Sequence, residues 1–310
     1  MLTSEERNNV LIQLHTISDY IRWATSYFNQ SDIYFGHGTD NAIDEAAYLV
    51  LYALNLSNQV PVHYYSAKLL EHEKKQVIEI IFRRVDEGIP AAYLTHHAMF
   101  AGLEFYVDER VLVPRSPIAE LIAQRFSPWV DENSVSAILD LCTGSGCIAI
   151  ACAYAFPHAE IDAIDISDDA LDVAEINLNK HTLNKHINLI QSDLFKALSE
   201  DSGPYQGKYD IIVSNPPYVD QEDMQGLPTE FQAEPELGLA AGEDGLSLVI
   251  PMLYEAKNYL SEQGIIIIEV GNSQYALMDK FPEVPFYWLE FEQGGDGVFL
   301  LTREQLEQYF

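Results

Sequence analysis

Positive charge is what this 310-residue chain has least of: 17 Lys and Arg face 48 Asp and Glu, for a formal net charge of -31. A field of that sign repels a bare polyanion such as DNA and draws a basic protein, so direct DNA binding is not expected and a basic protein partner is. A solvated acidic surface of a salt-adapted chain would carry the same charge, and composition leaves both readings open. Cysteine is scarce too. Cys142, Cys147 and Cys152 are odd in number and lie five apart, which suits neither a closed disulfide set nor a zinc knuckle. Reduced thiols and a cytoplasmic setting are expected. No apolar run approaches the length of a membrane span, Ile265 to Ile268 being only a short all-isoleucine stretch, and no basic-then-apolar segment follows Met1. Neither a membrane span nor an export signal is expected. His96, His97, His181 and His186 have no carboxylate or cysteine partners at metal spacing, so no metal site is expected.

What is present organises into two regimes. With 48% hydrophobic residues and a mean hydropathy of -0.06, the chain can bury a full core and divides into a smaller and a larger domain. Val10, Leu14, Ile17, Ile21, Ala24 and Phe28 recur at helical spacing behind a capping box at Thr3 and Glu6. A second helix is expected from Asp40 to Leu54. A third is expected from Ser66 to about Glu87, with Leu70, Val77, Ile78, Ile81, Phe82 and Val85 on one face and Gly88 ending it. Ala98-Met99-Phe100 and Leu103 to Val107 flank Ala101-Gly102, the pattern of a β-hairpin. The reading is therefore a helical domain over 1–90, a hairpin linker over 91–117 and an α/β domain over 118–310.

In that last domain, apolar runs at Ala137 to Leu141, Ile161 to Ile164, Ile187 to Ile190, Asp210 to Val213 and Ile265 to Val270 alternate with helical stretches. Such alternation predicts an α/β doubly wound sheet, mostly parallel and covered on both faces. Phe286 to Phe291 and Val298 to Thr302 are joined by a Gly-rich loop with no room for a helix, so this pair should run antiparallel.

Ligands of such sheets sit beyond the carboxyl ends of the strands. After the first strand comes Cys142-Thr143-Gly144-Ser145-Gly146, whose glycines let backbone approach a ligand closely. Glycine turns also join strand to helix without any ligand. Asp165 ends the second strand and can accept from both hydroxyls of a ribose, or simply cap the next helix with Ser167, Asp168 and Asp169. No Gly-Lys-Ser/Thr is present, and no Lys or Arg lies between Asp140 and Glu160 to neutralise a pyrophosphate. An adenosine cofactor without phosphate fits better, and S-adenosylmethionine is the candidate, with Asp193 on the adenine amino group and Leu194 on the ring face.

The fourth strand ends in Ser214-Asn215-Pro216-Pro217-Tyr218. Pro217 keeps Pro216 out of helical angles, so the backbone stays extended and stiff beyond the sheet edge. The Asn215 side-chain oxygen and the Pro216 carbonyl then present two acceptors that match the two hydrogens of one NH₂ group. Tyr218 offers a flat face for a planar amide or base. An amide or aromatic amine nitrogen is a poor nucleophile, and this clamp would align it toward a methyl donor. The residues alone point to an NH₂ methyltransferase.

Asn215-Pro216-Pro217-Tyr218, the loop Leu139 to Gly146 and Val111-Leu112-Val113-Pro114-Arg115 resemble the protein-glutamine methyltransferases of the HemK family over nearly the whole chain. Tyr34 to Asn41 and Val113 to Ile118 look like its PrmB type. The resemblance implies a seven-stranded Rossmann-like domain with an antiparallel last strand, preceded by the helical domain and hairpin. It also implies transfer from S-adenosyl-L-methionine to a glutamine side-chain amide of the third protein of the large ribosomal subunit. Cys142 to Gly146 would surround the methionine part of the cofactor, Asp165 its ribose, and Asn215 to Tyr218 the acceptor amide. Cys142 replaces a loop glycine of the family pattern, and Ser116-Pro117 departs from the release-factor branch. Release-factor methylation, N6-adenine methylation of nucleic acid with base flipping, and a non-catalytic assembly factor that senses the cofactor are the alternatives. Glu234 to Leu237 and Gly242 to Gly245 are read as a loop beside the acceptor or a solvated acidic loop. Arg115 is left between anchoring the hairpin and touching substrate.

Overall fold

A computed structural model describes residues 3–36, 38–198, 208–292 and 294–310; His37 and Gln293, inside two stretches singled out above, lie outside the described residues. The chain divides into a unit of residues 1–97 with 228–233, and a unit of residues 98–227 with 234–310.

The first unit is helical. Helix α1 (Ser4–Gln13) starts at the Thr3–Glu6 capping box. The expected single helix then breaks, because Thr16 and Asp19 form a second capping box that starts α2 (Ile17–Gln30). At the break, the His15 carbonyl accepts the Leu69 N–H. Asn41 caps α3 (Ala42–Ala53). Helix α4 (Glu71–Asp86) begins later than expected: Val62–Ser66 forms a separate 3₁₀ turn. Leu69 is buried there, whereas Leu70, predicted on the apolar face, is 60% exposed. Gly88 adopts φ +67 and ends the helix, and α5 (Ala91–Thr95) follows. Tyr20, Ala24, Leu49, Val77 and Ile81 form the core of this unit.

Within that core lies a buried charge cluster. The Arg84 Nε donates to Glu45, its Nη1 to Glu230 at 2.8 Å and its Nη2 to the Tyr34 carbonyl at 2.7 Å. Glu230 Oε1 also accepts the Tyr34 N–H, and Glu45 accepts the Thr39 hydroxyl. One arginine thus ties α3, α4, Tyr34 and the 228–233 segment together.

The second unit opens with the hairpin β1 (Ala98–Phe100) and β2 (Leu103–Phe105), turned by Ala101 and Gly102 at φ 49 and 76. Positive φ at both turn residues is the two-residue geometry that suits strand twist. After α6 (Ile118–Ala123) come β3 (Ala137–Leu141), α7 (Cys147–Ala155), β4 (Glu160–Asp165), α8 (Asp168–His181), β5 (Ile187–Gln191), β6 (Tyr209–Ser214), β7 (Leu260–Glu269), β8 (Tyr287–Trp288) and β9 (Val298–Thr302). Among the described residues, β3 to β9 form one seven-stranded sheet in the order β5-β4-β3-β6-β7-β9-β8. The five strands β3 to β7 are mutually parallel; β9 runs antiparallel to β7, and β8 to β9. The expected strand from Phe286 to Phe291 shortens to Tyr287–Trp288. Alternation of side chains sends Ile211, Val213 and Ile267 to one core and Ile212, Ile266 and Ile268 to the other. Both faces are covered, which explains the near-continuous apolar strands. Among the described residues, no helix is long and apolar enough to cross a membrane.

Candidate active site

Strands β3, β4, β5 and β6 deliver their carboxyl ends to one edge of the sheet, where Cys142, Gly144, Asp165, Asp193, Leu194 and Asn215 line a single cleft. The loop after β3 turns through positive φ at Cys142, Gly144 and Gly146. A Cβ on Gly144 would meet nothing within 4 Å, so its backbone borders open space. Gly146 caps α7, and a Cβ there would lie 3.3 Å from Ala174. Thr143 and Ser145 are buried. The Thr143 hydroxyl donates to Asp140 at 2.6 Å, and the Ala149 N–H donates to the same carboxylate oxygen. The Asn177 amide donates to the Ser145 carbonyl and the Tyr106 carbonyl, tying the loop to the chain leaving the hairpin. Cys142 and Gly144 therefore line the cleft, while Thr143, Ser145 and Gly146 shape it from behind.

Neutral donors hold Asp165 and Asp140 at this edge. Asp165 accepts the Gly144 N–H through one oxygen and the Ser167 N–H through the other, both at 2.9 Å. Burial outweighs these bonds and raises its pKa. Asp140 has no cation beside it among the described residues: burial pushes its pKa up to about 7 against the bonds from Thr143 and Ala149. Its second oxygen is buried without a hydrogen-bond partner among the described residues. Asp193 is paired with Lys196, and Leu194 adopts φ 50.

The end of β6 carries the second half of the site. The Ser214 hydroxyl donates to the Leu141 carbonyl at 2.7 Å, pinning the strand end to β3. The Asn215 Oδ1 is buried and has no hydrogen-bond partner among the described residues. Buried carbonyl oxygens are rarely left unpaired, and this one borders the cleft, so it marks a place for a donor from a ligand. Pro216 and Pro217 are buried, and Pro217 lines the cleft beside Asn215. Tyr218 is fixed at three points. Its hydroxyl donates to Glu269 at 3.1 Å, and its carbonyl accepts from Ser273 at 2.8 Å. Its ring packs on Gly271, where a Cβ would come within 2.6 Å. Burial raises the pKa of the Tyr218 hydroxyl, so it remains protonated.

The sequence reading left the roles of some neighbouring residues open and missed others. Glu234 is buried and takes both Nη groups of Arg115, at 3.0 and 2.6 Å, and the Val113 N–H. The acidic loop is therefore an anchor at Glu234, and its Pro235 and Leu237 line the cleft. Arg115 anchors that loop. Leu112 completes the cleft wall, and its position in Val111 to Arg115 was the available signal. Glu269 gave none, since it ends an apolar strand.

The methyltransferase small domain family matches residues 120–236. The chain is 48% identical to the ribosomal protein uL3 glutamine methyltransferase of Francisella tularensis subsp. tularensis, over 100% of this chain and 97% of that one. It is 50% identical to the ribosomal protein uL3 glutamine methyltransferase of Neisseria meningitidis serogroup A, over 96% of this chain and 97% of the relative. A solved structure of the human methyltransferase 10 domain containing protein is 20% identical over 65% of this chain and 88% of that chain, with a TM-score of 0.45. With near-half identity sustained across the full length, the chain is a methyltransferase and belongs to the family of ribosomal protein uL3 glutamine methyltransferases.

Proposed function

We propose that this enzyme transfers a methyl group from S-adenosyl-L-methionine to the side-chain amide nitrogen of a glutamine in uL3, the third protein of the large ribosomal subunit. The observation that carries the reading is the unpartnered Asn215 Oδ1 at the cleft, followed by two buried prolines. Asn215 Oδ1 and the Pro216 carbonyl hold the two N–H bonds of the acceptor amide, and Tyr218 supports its plane. No side-chain base is needed before transfer, because alignment and fixed dipoles carry the rate.

The residues present fit the cofactor. Gly144 borders open space, and each Asp165 oxygen retains a lone pair beyond its N–H bond for a ribose hydroxyl. Leu194 offers an apolar wall for a base, Asp193 an acceptor for its amino group, and Cys142 and Gly144 the side facing the methionine moiety. When bound, the cofactor supplies an electrophilic methyl group on sulfur. The names of the relatives favour uL3 over a release factor, and a net charge of -31 suits a basic ribosomal protein. The helical unit is the natural recognition module, and a ribosomal substrate sets the reaction in the cytoplasm.

The test is transfer of labelled methyl from S-adenosylmethionine to purified uL3 and to a purified release factor, with mass spectrometry to locate the label. Label on a glutamine of uL3 alone is expected. Label on the release factor overturns the substrate, and label on neither overturns the activity.

A further inference from the structure

We infer that Glu269, itself held by Ser116, is a positioning residue that fixes the Tyr218 face of the acceptor clamp. The inference rests on reading Asn215 to Tyr218 as that clamp. Glu269 is the last residue of β7, and the parallel ladder pairs Ser214 with Ile268, which brings Glu269 level with Asn215 at the sheet edge. Its carboxylate is buried and divided between two hydroxyls: Oε1 accepts from Tyr218 at 3.1 Å and Oε2 from Ser116 at 2.5 Å. Ser116 is fixed in turn, because its oxygen accepts the Ile118 N–H at the start of α6.

A buried carboxylate without a direct ion pair is an expensive way to fill space, and an apolar or amide side chain would fill it at lower cost. What the carboxylate adds is a strong, directional acceptor for a phenol that must keep one orientation. Burial raises the pKa of Glu269, opposed by the bonds from Ser116 and Tyr218 and by the charge of Arg115. Arg115 is held by Glu234, so Val113 to Ser116, which the sequence singled out without a role, frames the back of the clamp through two carboxylates. Gly271 packs on the Tyr218 ring and Ser273 holds its backbone carbonyl, leaving its hydroxyl orientation to Glu269.

The experiment is a double-mutant cycle on Glu269→Gln and Tyr218→Phe in the full-length enzyme. It reads kcat, KM for uL3, cofactor affinity by calorimetry, and the melting temperature. Each single variant is expected to lower kcat about 10- to 100-fold, the range for sub-ångström misplacement of a reacting group, with both KM and cofactor affinity within about threefold. The double variant is expected to be no slower than the slower single, since both remove one interaction. Ser116→Ala, a milder change usable even where Glu269→Gln does not fold, is expected to lower kcat about three- to tenfold at unchanged KM. Losses that multiply in the double variant, or full kcat in Ser116→Ala and Glu269→Gln, overturn the inference. Asn215→Ala runs in parallel. If it keeps most of its activity, the clamp itself is wrong and the inference falls with it; if it is inactive while the cycle is multiplicative, only the role of Glu269 is lost.

Discussion

The two units treat buried carboxylates in opposite ways. In the helical unit, Glu45 and Glu230 share the guanidinium of Arg84, and all three side chains are 1% exposed. At the sheet edge, Asp140, Asp165 and Glu269 are held by backbone N–H groups and hydroxyls, and burial raises the pKa of each. A cation paired at close range builds structure, because removing either partner strands a charge in a medium that cannot solvate it. Neutral donors leave a carboxylate with acceptor capacity to spare, the capacity that the proposed cofactor and acceptor amide would use. Glu234 with Arg115 and Asp108 with Arg110 depart from this beside the cleft, and there the arginines are 25% and 30% exposed.

The contrast can be broken most severely at Glu230. Glu230→Ala leaves Arg84 buried with Glu45 alone and is expected to destabilise the protein by about 3–5 kcal/mol, measured by urea unfolding. At the sheet edge, Asp140 should make stability depend on pH. Its native pKa of about 7 lies above the unfolded value, so the folded state holds the proton more tightly. Stability is then complete below about pH 4 and falls as pH rises through 7, by at most about 4 kcal/mol. Asp140→Asn should flatten that slope in unfolding curves at pH 5 and 8. Glu234→Ala sharpens the comparison, since Arg115 reaches water: a loss of about 1–3 kcal/mol is expected, smaller than at Glu230, with methyl transfer reduced about tenfold. The smallest effect is expected at Cys142, a non-glycine at φ 59. Cys142→Gly should relieve left-handed strain and raise stability by up to about 1 kcal/mol, read as a shift of the thermal midpoint.

What the sequence made legible depended on short-range physics. The irregular stretch after β6 was readable because Pro216 and Pro217 set backbone angles without help from the rest of the fold. The Ala101-Gly102 turn and the alternating strands were readable for the same reason. The helix break at Thr16 was written in the sequence as Thr16 and Asp19, but the apolar spacing from Val10 to Phe28 runs through it and conceals it. Leu70 was misplaced by one residue for a similar cause: the apolar pair Leu69-Leu70 does not reveal which member turns inward. In Cys142 to Gly146, alternating backbone handedness sends Thr143 and Ser145 inward, which residue types do not disclose. Glu269 and Glu230 were invisible for a deeper reason. Their partners Ser116 and Arg84 lie 153 and 146 residues away, and no local pattern encodes such a pairing.

The distance between Arg84 and Glu230 also sets an order of events during synthesis. The helical unit is discontinuous: residues 1–97 emerge first, and residues 228–233, which complete it, are added only after β6 and its Asn215 have been made. At ordinary elongation rates that interval is on the order of ten seconds. Throughout it, the Glu230 carboxylate that meets Arg84 and the Tyr34 N–H in the finished unit has not yet been made. The first part of the chain to be born is therefore among the last to be finished, and a chain that stops before residue 228 is denied both the lock of its N-terminal unit and the rest of its catalytic one.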